Sequence, residues 1–226
     1  MAAKEGAEPT LLFDLDGTLT NPFVGITSSI RYALEKLGRV APAAESLRWC
    51  IGPPLKGAFL RLLDTMDEQL ADEAVRLYRE RYMATGKFEN SIIDGIPEAL
   101  EALRGDGFQL FVATSKLASY AGDILDHFGL RQYFSALYGS QADGAHAEKE
   151  YLICNLLAVE SLPPDRAVMI GDRSHDVVGA KANGVPAIGV LWGFGDREEL
   201  AGAGALRIAA SPVELPAMTR GIFNAG

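Results

Sequence analysis

One break in periodicity constrains this chain more than any other feature. Thr10 to Leu15 is a short, nearly continuous apolar run that ends in acidic residues and Gly17, as expected of a buried strand meeting a loop. From Gly25 to about Thr85 the spacing is helical instead. Ile26, Ile30, Leu34 and Leu37 share a face and Gly38 stops the run; a shorter piece covers Ala43 to Cys50; Gly52-Pro53-Pro54 breaks it; Leu55, Phe59 and Leu62 open the next helix. Asp67 is placed to cap a longer one carrying Leu70, Ala74, Leu77 and Arg81. Nothing in this stretch reads as strand.

After Ile92 the two periods alternate. Helix is expected over 97–103, 117–127, 148–158, 176–183, 196–201 and 213–218, and strand over 109–113, 136–138, 167–170, 187–191 and 207–209. Such alternation implies an α/β fold, a parallel sheet with helices on both faces. The helical block falls between the first strand and the rest, so it reads as an insertion. The expected units are an α/β core of residues 1–20 and 91–226 and an all-α insert of residues 21–90, with linkers near Thr20–Gly25 and Asn90–Gly95.

Composition narrows the functional classes. With 48% hydrophobic and 23% charged residues, the chain can bury a sizeable core and is no disordered tail. Its formal charge of −9 repels phosphate backbones, so no nucleic-acid partner is expected. A small anionic substrate remains open, because a local lysine and a bound cation can reverse the sign inside a pocket. Cys50 and Cys154 are too few for a disulfide scaffold and are expected to be small buried hydrophobes in a reducing compartment. MAAKEGAEPT carries no apolar leader region, and no apolar run reaches the ~20 residues that span a bilayer. A cytoplasmic protein with no membrane partner is therefore expected; the oligomeric state is not legible.

In open parallel sheets the ligand site lies outside the carboxyl ends of the strands. Here those ends carry Asp14 and Asp16, then Thr114 and Ser115, then Gly171 and Asp172. In Asp14-Leu15-Asp16-Gly17-Thr18, carboxylates at i and i+2 point to one side of an extended chain. Two neighbouring carboxylates can take different roles, one an ionised nucleophile and the other a general acid and base, if their surroundings separate their pKa values.

Asp14-Leu15-Asp16-Gly17-Thr18-Leu19-Thr20 resembles the first motif of the haloacid dehalogenase superfamily of aspartate-nucleophile phosphohydrolases. The resemblance extends to three further motifs in order. Phe111-Val112-Ala113-Thr114-Ser115-Lys116 matches the second, where a hydroxyl and free amides at a helix N-terminus would bind a phosphoryl group; Thr114 as a plain helix cap uses the same geometry. Lys149, in His146-Ala147-Glu148-Lys149-Glu150, matches the third, with Lys116 the alternative for its role. Many members place proline after this lysine, where this chain has Glu150. An exposed lysine paired with an acidic neighbour is the plainer reading. Met169-Ile170-Gly171-Asp172-Arg173-Ser174-His175-Asp176 matches the fourth, Asp176 being also the kind of acid favoured at a helix N-terminus. Asn21-Pro22 stands where an acidic residue often follows the first motif. His175 is left aside as a poor Mg²⁺ ligand, and His127 and His146 receive no role.

The resemblance implies a Rossmann-like parallel-sheet core with an inserted all-α cap domain, closest to the phosphoglycolate-phosphatase-like branch. It implies a Mg²⁺-dependent phosphatase of a small phosphorylated metabolite, phosphoglycolate-like or a nucleoside monophosphate, working through an aspartyl-phosphate. Asp14 would be the nucleophile and Asp16 the acid and base. Asp14, Asp172 and the Asp16 carbonyl would hold Mg²⁺. Thr114, Ser115 and Lys149 would bind the phosphoryl group, and Asp176 would act through water or by orienting Lys149. Arg48, Lys56 and Lys116 are candidates for a second anionic group of the substrate, or solvated surface charge. A sugar-phosphate mutase or a pyrophosphatase on the same core stays open. So does a catalytically silent binding module, which would be expected to have lost one of these groups; none is lost. A dehalogenase would need neither Asp16 nor Asp172.

Overall fold

The computed structural model describes residues 8–141 and 147–224, so the leader reading of the first seven residues and His146 lie outside the described residues. The chain forms two compact units, Met1–Leu19 with Ile92–Gly226, and Thr20–Ser91. The strands are β1 (Thr10–Phe13), β2 (Gln109–Leu117), β3 (Ala136–Ser140), β4 (Ala167–Gly171), β5 (Ala187–Val190) and β6 (Arg207–Ala209). The α-helices are α1 (Phe23–Lys36), α2 (Leu55–Leu62), α3 (Glu68–Ala84), α4 (Ile96–Gly105), α5 (Ala118–His127), α6 (Lys149–Val159), α7 (Ser174–Ala182), α8 (Arg197–Ala203) and α9 (Leu215–Phe223).

In the first unit all six strands lie in one sheet of order β3-β2-β1-β4-β5-β6, and every neighbouring pair is parallel. Leu11, Leu12 and Phe13 in the central β1 are fully buried, contributing about 1.5–3 kcal/mol each. Their alternation divides the core. Leu11 and Phe13 join Leu110, Val112, Val168 and Ile170 under α4, α5 and α9. Leu12 joins Phe111, Ala113 and Met169 under α6, α7 and α8. This two-sided cover explains why the strands read as continuous apolar runs rather than alternating ones.

The second unit has no strand among its described residues 25–85. Ile26, Ile30, Ala33 and Leu34 of α1 are buried, as are Phe59 of α2 and Leu77, Tyr78 and Tyr82 of α3. Asp67 caps α3, its carboxylate accepting from the amides of Gln69 at 2.9 Å and Leu70 at 3.2 Å. A Cβ on Gly25 would lie 1.9 Å from the Gly86 carbonyl oxygen, so this backbone approach requires glycine.

Two details depart from the sequence reading. β2 continues past Ala113 to Leu117, with a register shift against β3 between Thr114 and Leu117, so the helix that follows starts at Ala118. Cys50 is buried, and that burial pushes its thiol up to about 12, but Cys154 is exposed. The buried positions of α6 are Leu152, Ile153, Leu156 and Leu157, a stripe that leaves position 154 on the solvent side. Among the described residues no helix is long and apolar enough to cross a membrane.

Candidate active site

Strand order 3-2-1-4-5-6 reverses direction between β1 and β4, and a crevice opens at the carboxyl end of such a switch point. Asp14 and Asp172 stand there. Asp14 directly follows β1, and its amide still donates to the Ile170 carbonyl of β4 at 2.9 Å. Asp172 directly follows β4 and is fully buried. Its Oδ2 accepts from the Phe194 amide at 2.7 Å and its Oδ1 faces the Thr18 hydroxyl at 3.5 Å. The turn after β1 is shaped around that carboxylate. Gly17 has a φ of +89°, and a Cβ there would come within 2.2 Å of Asp172 Oδ2.

Lys149, the first residue of α6, is as buried as the acids it serves. Its ammonium lies 2.7 Å from Asp14 Oδ1 and 2.7 Å from Asp176 Oδ1, and donates to the Ala113 carbonyl at 2.6 Å. Three acceptors match its three protons. The contact with Asp14 is a true hydrogen bond, whereas Asp176 Oδ1 is paired by charge without hydrogen-bond alignment. Asp176 also works as a cap, its Oδ2 accepting from the Arg173 amide at 3.1 Å in front of α7. The helix-terminus reading and the lysine-orienting reading of Asp176 therefore describe one geometry. The plainer reading of Lys149, an exposed lysine, is corrected: its side chain is 2% exposed.

Asp16 faces the other lysine. Lys116 Nζ is 2.6 Å from Asp16 Oδ2, and both side chains are largely buried. So Lys116 does not take the place of Lys149 beside Asp14. Thr114 is buried and its hydroxyl accepts from the Lys116 amide at 3.2 Å. Since β2 runs on to Leu117, Thr114 and Ser115 do not cap a helix; the half-buried Ser115 sits within the register shift of β2. Arg48 and Lys56 belong to the helical unit. There the exposed Arg48 lies 5.6 Å from the Phe23 ring centroid, and Lys56 pairs with Glu68 at 3.3 Å and Asp72 at 2.9 Å.

The sequence reading missed the segment after β5. Trp192 Nε1 donates to the Thr18 carbonyl at 3.0 Å, and a Cβ on Gly193 would come within 2.3 Å of Asp172 Oδ2. Glu199 Oε1 accepts from the Ser174 amide at 2.7 Å and from Arg173 Nε at 3.0 Å, tying down the loop between Asp172 and Asp176. The two glycines of Gly193-Phe194-Gly195, shortly after the end of β5, were the available signal.

Asp14, Asp172 and Asp176 each bring a carboxylate oxygen within 4.8 Å of the others, all three buried. Burial pushes the Asp14 carboxyl up to about 6 despite the pull of Lys149. Asp172 is held well above the usual carboxylate range, by burial first and then by Asp176 and Asp14. Burial works against the Lys149 ammonium, yet Asp14 and Asp176 together keep its pKa raised. Three buried acids sharing one ammonium are short of positive charge. Hard carboxylate oxygens of this kind suit a divalent cation.

Comparison with known proteins agrees with this geometry. The profile of the haloacid dehalogenase-like hydrolases matches residues 11–190. A 5′-nucleotidase of Pseudomonas aeruginosa is 50% identical over 192 residues, 85% of this chain and 86% of that protein. The tyrosine-protein kinase PtkA of Mycobacterium tuberculosis is 42% identical over 195 residues, 86% of this chain and 66% of that protein. The crystal structure of a predicted phosphatase from Clostridium acetobutylicum superimposes with a TM-score of 0.91 at 42% identity, covering 96% of this chain and all of the other. Sheet order, buried acids and similarity lead to one assignment: the chain belongs to the haloacid dehalogenase-like hydrolase family and is a phosphatase of that family.

Proposed function

We propose that the protein is a Mg²⁺-dependent phosphomonoesterase of a small metabolite, working through an aspartyl-phosphate on Asp14. The observation that carries this reading is Lys149 held between Asp14 and Asp176 beside the buried Asp172. On this reading the α/β unit is catalytic and the helical unit is the family's cap.

Asp14 attacks phosphorus in line. A bond forms from its carboxylate oxygen to phosphorus, the bond to the leaving oxygen breaks, and that oxygen keeps the electron pair and takes a proton from Asp16. A water then attacks phosphorus, giving its proton to Asp16, and Asp14 leaves as a carboxylate with inorganic phosphate released. The balance is phosphomonoester plus water to alcohol plus phosphate. Lys149 neutralises Asp14 and the incoming phosphoryl oxygens, and Thr114 and Ser115 supply hydroxyls beside them. Phosphoryl transfer is chiefly positioning and charge stabilisation, which these groups supply. Asp14, Asp172 and the Asp16 carbonyl would hold Mg²⁺, with Asp176 orienting Lys149; the bound ion supplies positive charge to the nucleophile and to the equatorial phosphoryl oxygens.

Similarity to a 5′-nucleotidase favours nucleoside monophosphates, with phosphoglycolate-like esters next. The test is phosphate release by the purified protein from both classes, with pyrophosphate and sugar phosphates alongside, with and without Mg²⁺. Metal-dependent release from phosphomonoesters, lost in Asp14→Asn, is expected. Pyrophosphate as the sole substrate, sugar-phosphate isomerisation without net release, or full activity in Asp14→Asn would overturn this reading.

A further inference from the structure

We infer that Lys116 is the positioning residue for Asp16, fixing which carboxylate oxygen faces the leaving group and stabilising the charge left on Asp16 after proton transfer. The inference rests on the roles proposed above for Asp14 and Asp16.

The core unit buries two lysines near its acids, and their surroundings differ. Lys149 donates to Asp14 and a backbone carbonyl and is ion-paired with Asp176. Lys116 meets the other first-motif acid, 2.6 Å from Asp16 Oδ2, with its side chain 7% exposed. Its backbone is held at the register shift of β2, where its amide donates to the Thr114 hydroxyl. Asp16 Oδ1 is buried and, among the described residues, has no hydrogen-bond partner.

An ammonium at 2.6 Å favours the negative charge on the oxygen it faces, so the proton of Asp16 is held better on the other oxygen. Lys116 on Oδ2 therefore directs the proton of Asp16 to Oδ1, the buried oxygen left without a partner. Once Asp14 has attacked and the leaving oxygen has taken that proton, Asp16 is a carboxylate. Its new negative charge develops against an ammonium already in place, in surroundings with little water, where such preorganised charge is most effective. The contribution belongs to the proton-transfer half of the step. It matters for alkyl leaving groups and hardly for aryl ones, which depart without a proton.

The test is single-turnover formation of the aspartyl-phosphate by wild type, K116M and K116R. One substrate is a nucleoside monophosphate and the other an aryl phosphate with a nitrophenol leaving group. K116M is expected to slow phosphoenzyme formation from the alkyl ester by ~10–100-fold, the scale of removing a partner that acts through another residue, and from the aryl ester by less than about threefold. K116R, which keeps the charge in a different shape, is expected to recover part of the alkyl rate. Should K116M fail to fold, K116Q replaces it under the same criteria. Equal loss on both esters would mark a structural role. A raised KM with unchanged kcat on both would mark a substrate contact, and no loss would mark a bystander; each overturns the inference. A wild type that forms no aspartyl-phosphate from either ester overturns the reading of Asp14 as nucleophile and this inference with it. A wild type that forms it, alongside one of those three outcomes, overturns the inference alone.

Discussion

The two units treat charge in opposite ways. In the α/β unit, Asp14, Lys149, Asp172 and Asp176 are all buried, at a cost that only close pairing or a bound ion offsets. In the helical unit the ion pairs of Lys56 with Glu68 and Asp72, and of Arg76 with Glu73 and Glu80, stay out in solvent, and the Arg81–Glu89 pair is only half-buried. Among its described residues the fully buried polar side chains are hydroxyls: Thr27 and Ser29 donate to the carbonyls of Phe23 and Gly25, and Thr20 accepts from Asn90. No charged side chain among the described residues of this unit is fully buried. The α/β unit, with a larger core, carries charge where its fold does not require any, and that contrast locates the chemistry.

Four changes test the contrast, beginning with the largest effect. Lys149→Met strips two buried carboxylates of their ammonium. Activity should vanish, and the metal-free protein should lose about 3–5 kcal/mol, the scale of breaking a buried pair from one side; denaturant unfolding with an unchanged slope checks it. Asp16→Asn keeps the backbone carbonyl but moves no proton, so turnover of alkyl esters should fall by ~10²–10⁴-fold with the fold intact. Asp172→Asn should weaken the Mg²⁺ response. In wild type, the ion should raise the melting temperature as any ligand of the native state does, and that rise should shrink markedly in the variant. The smallest effect is Lys56→Ala, where an exposed pair is lost: about 0–1 kcal/mol in stability. A Lys56→Ala loss as large as that of Lys149→Met would erase the distinction drawn here.

The sheet was legible because β1 and β4 are covered on both faces and so read as unbroken apolar runs. Asp14, Asp172 and Asp176 could be picked out because they follow those runs directly or within one turn, and the structure brings their carboxylates together. Three things were not legible. The extension of β2 to Leu117 depends on pairing with β3, a distant segment. The Lys116–Asp16 contact joins the segments that follow two different strands, residues far apart in sequence. The Trp192–Gly193 and Glu199 contacts join residues far apart in sequence whose types are common in loops. Cys154 was misplaced for a simpler reason: residue type suggested burial, while the stripe of α6 decides it.

The central claim is that Asp14 carries the phosphoryl group. Wild-type protein mixed with Mg²⁺ and a reactive phosphomonoester, then quenched within one turnover and reduced with borohydride, tests it directly, because an aspartyl-phosphate is reduced to homoserine. Peptide mass mapping should find homoserine at position 14 and aspartate at position 16. An unaltered Asp14 in a protein that is releasing phosphate, or homoserine at any other position, would contradict the account.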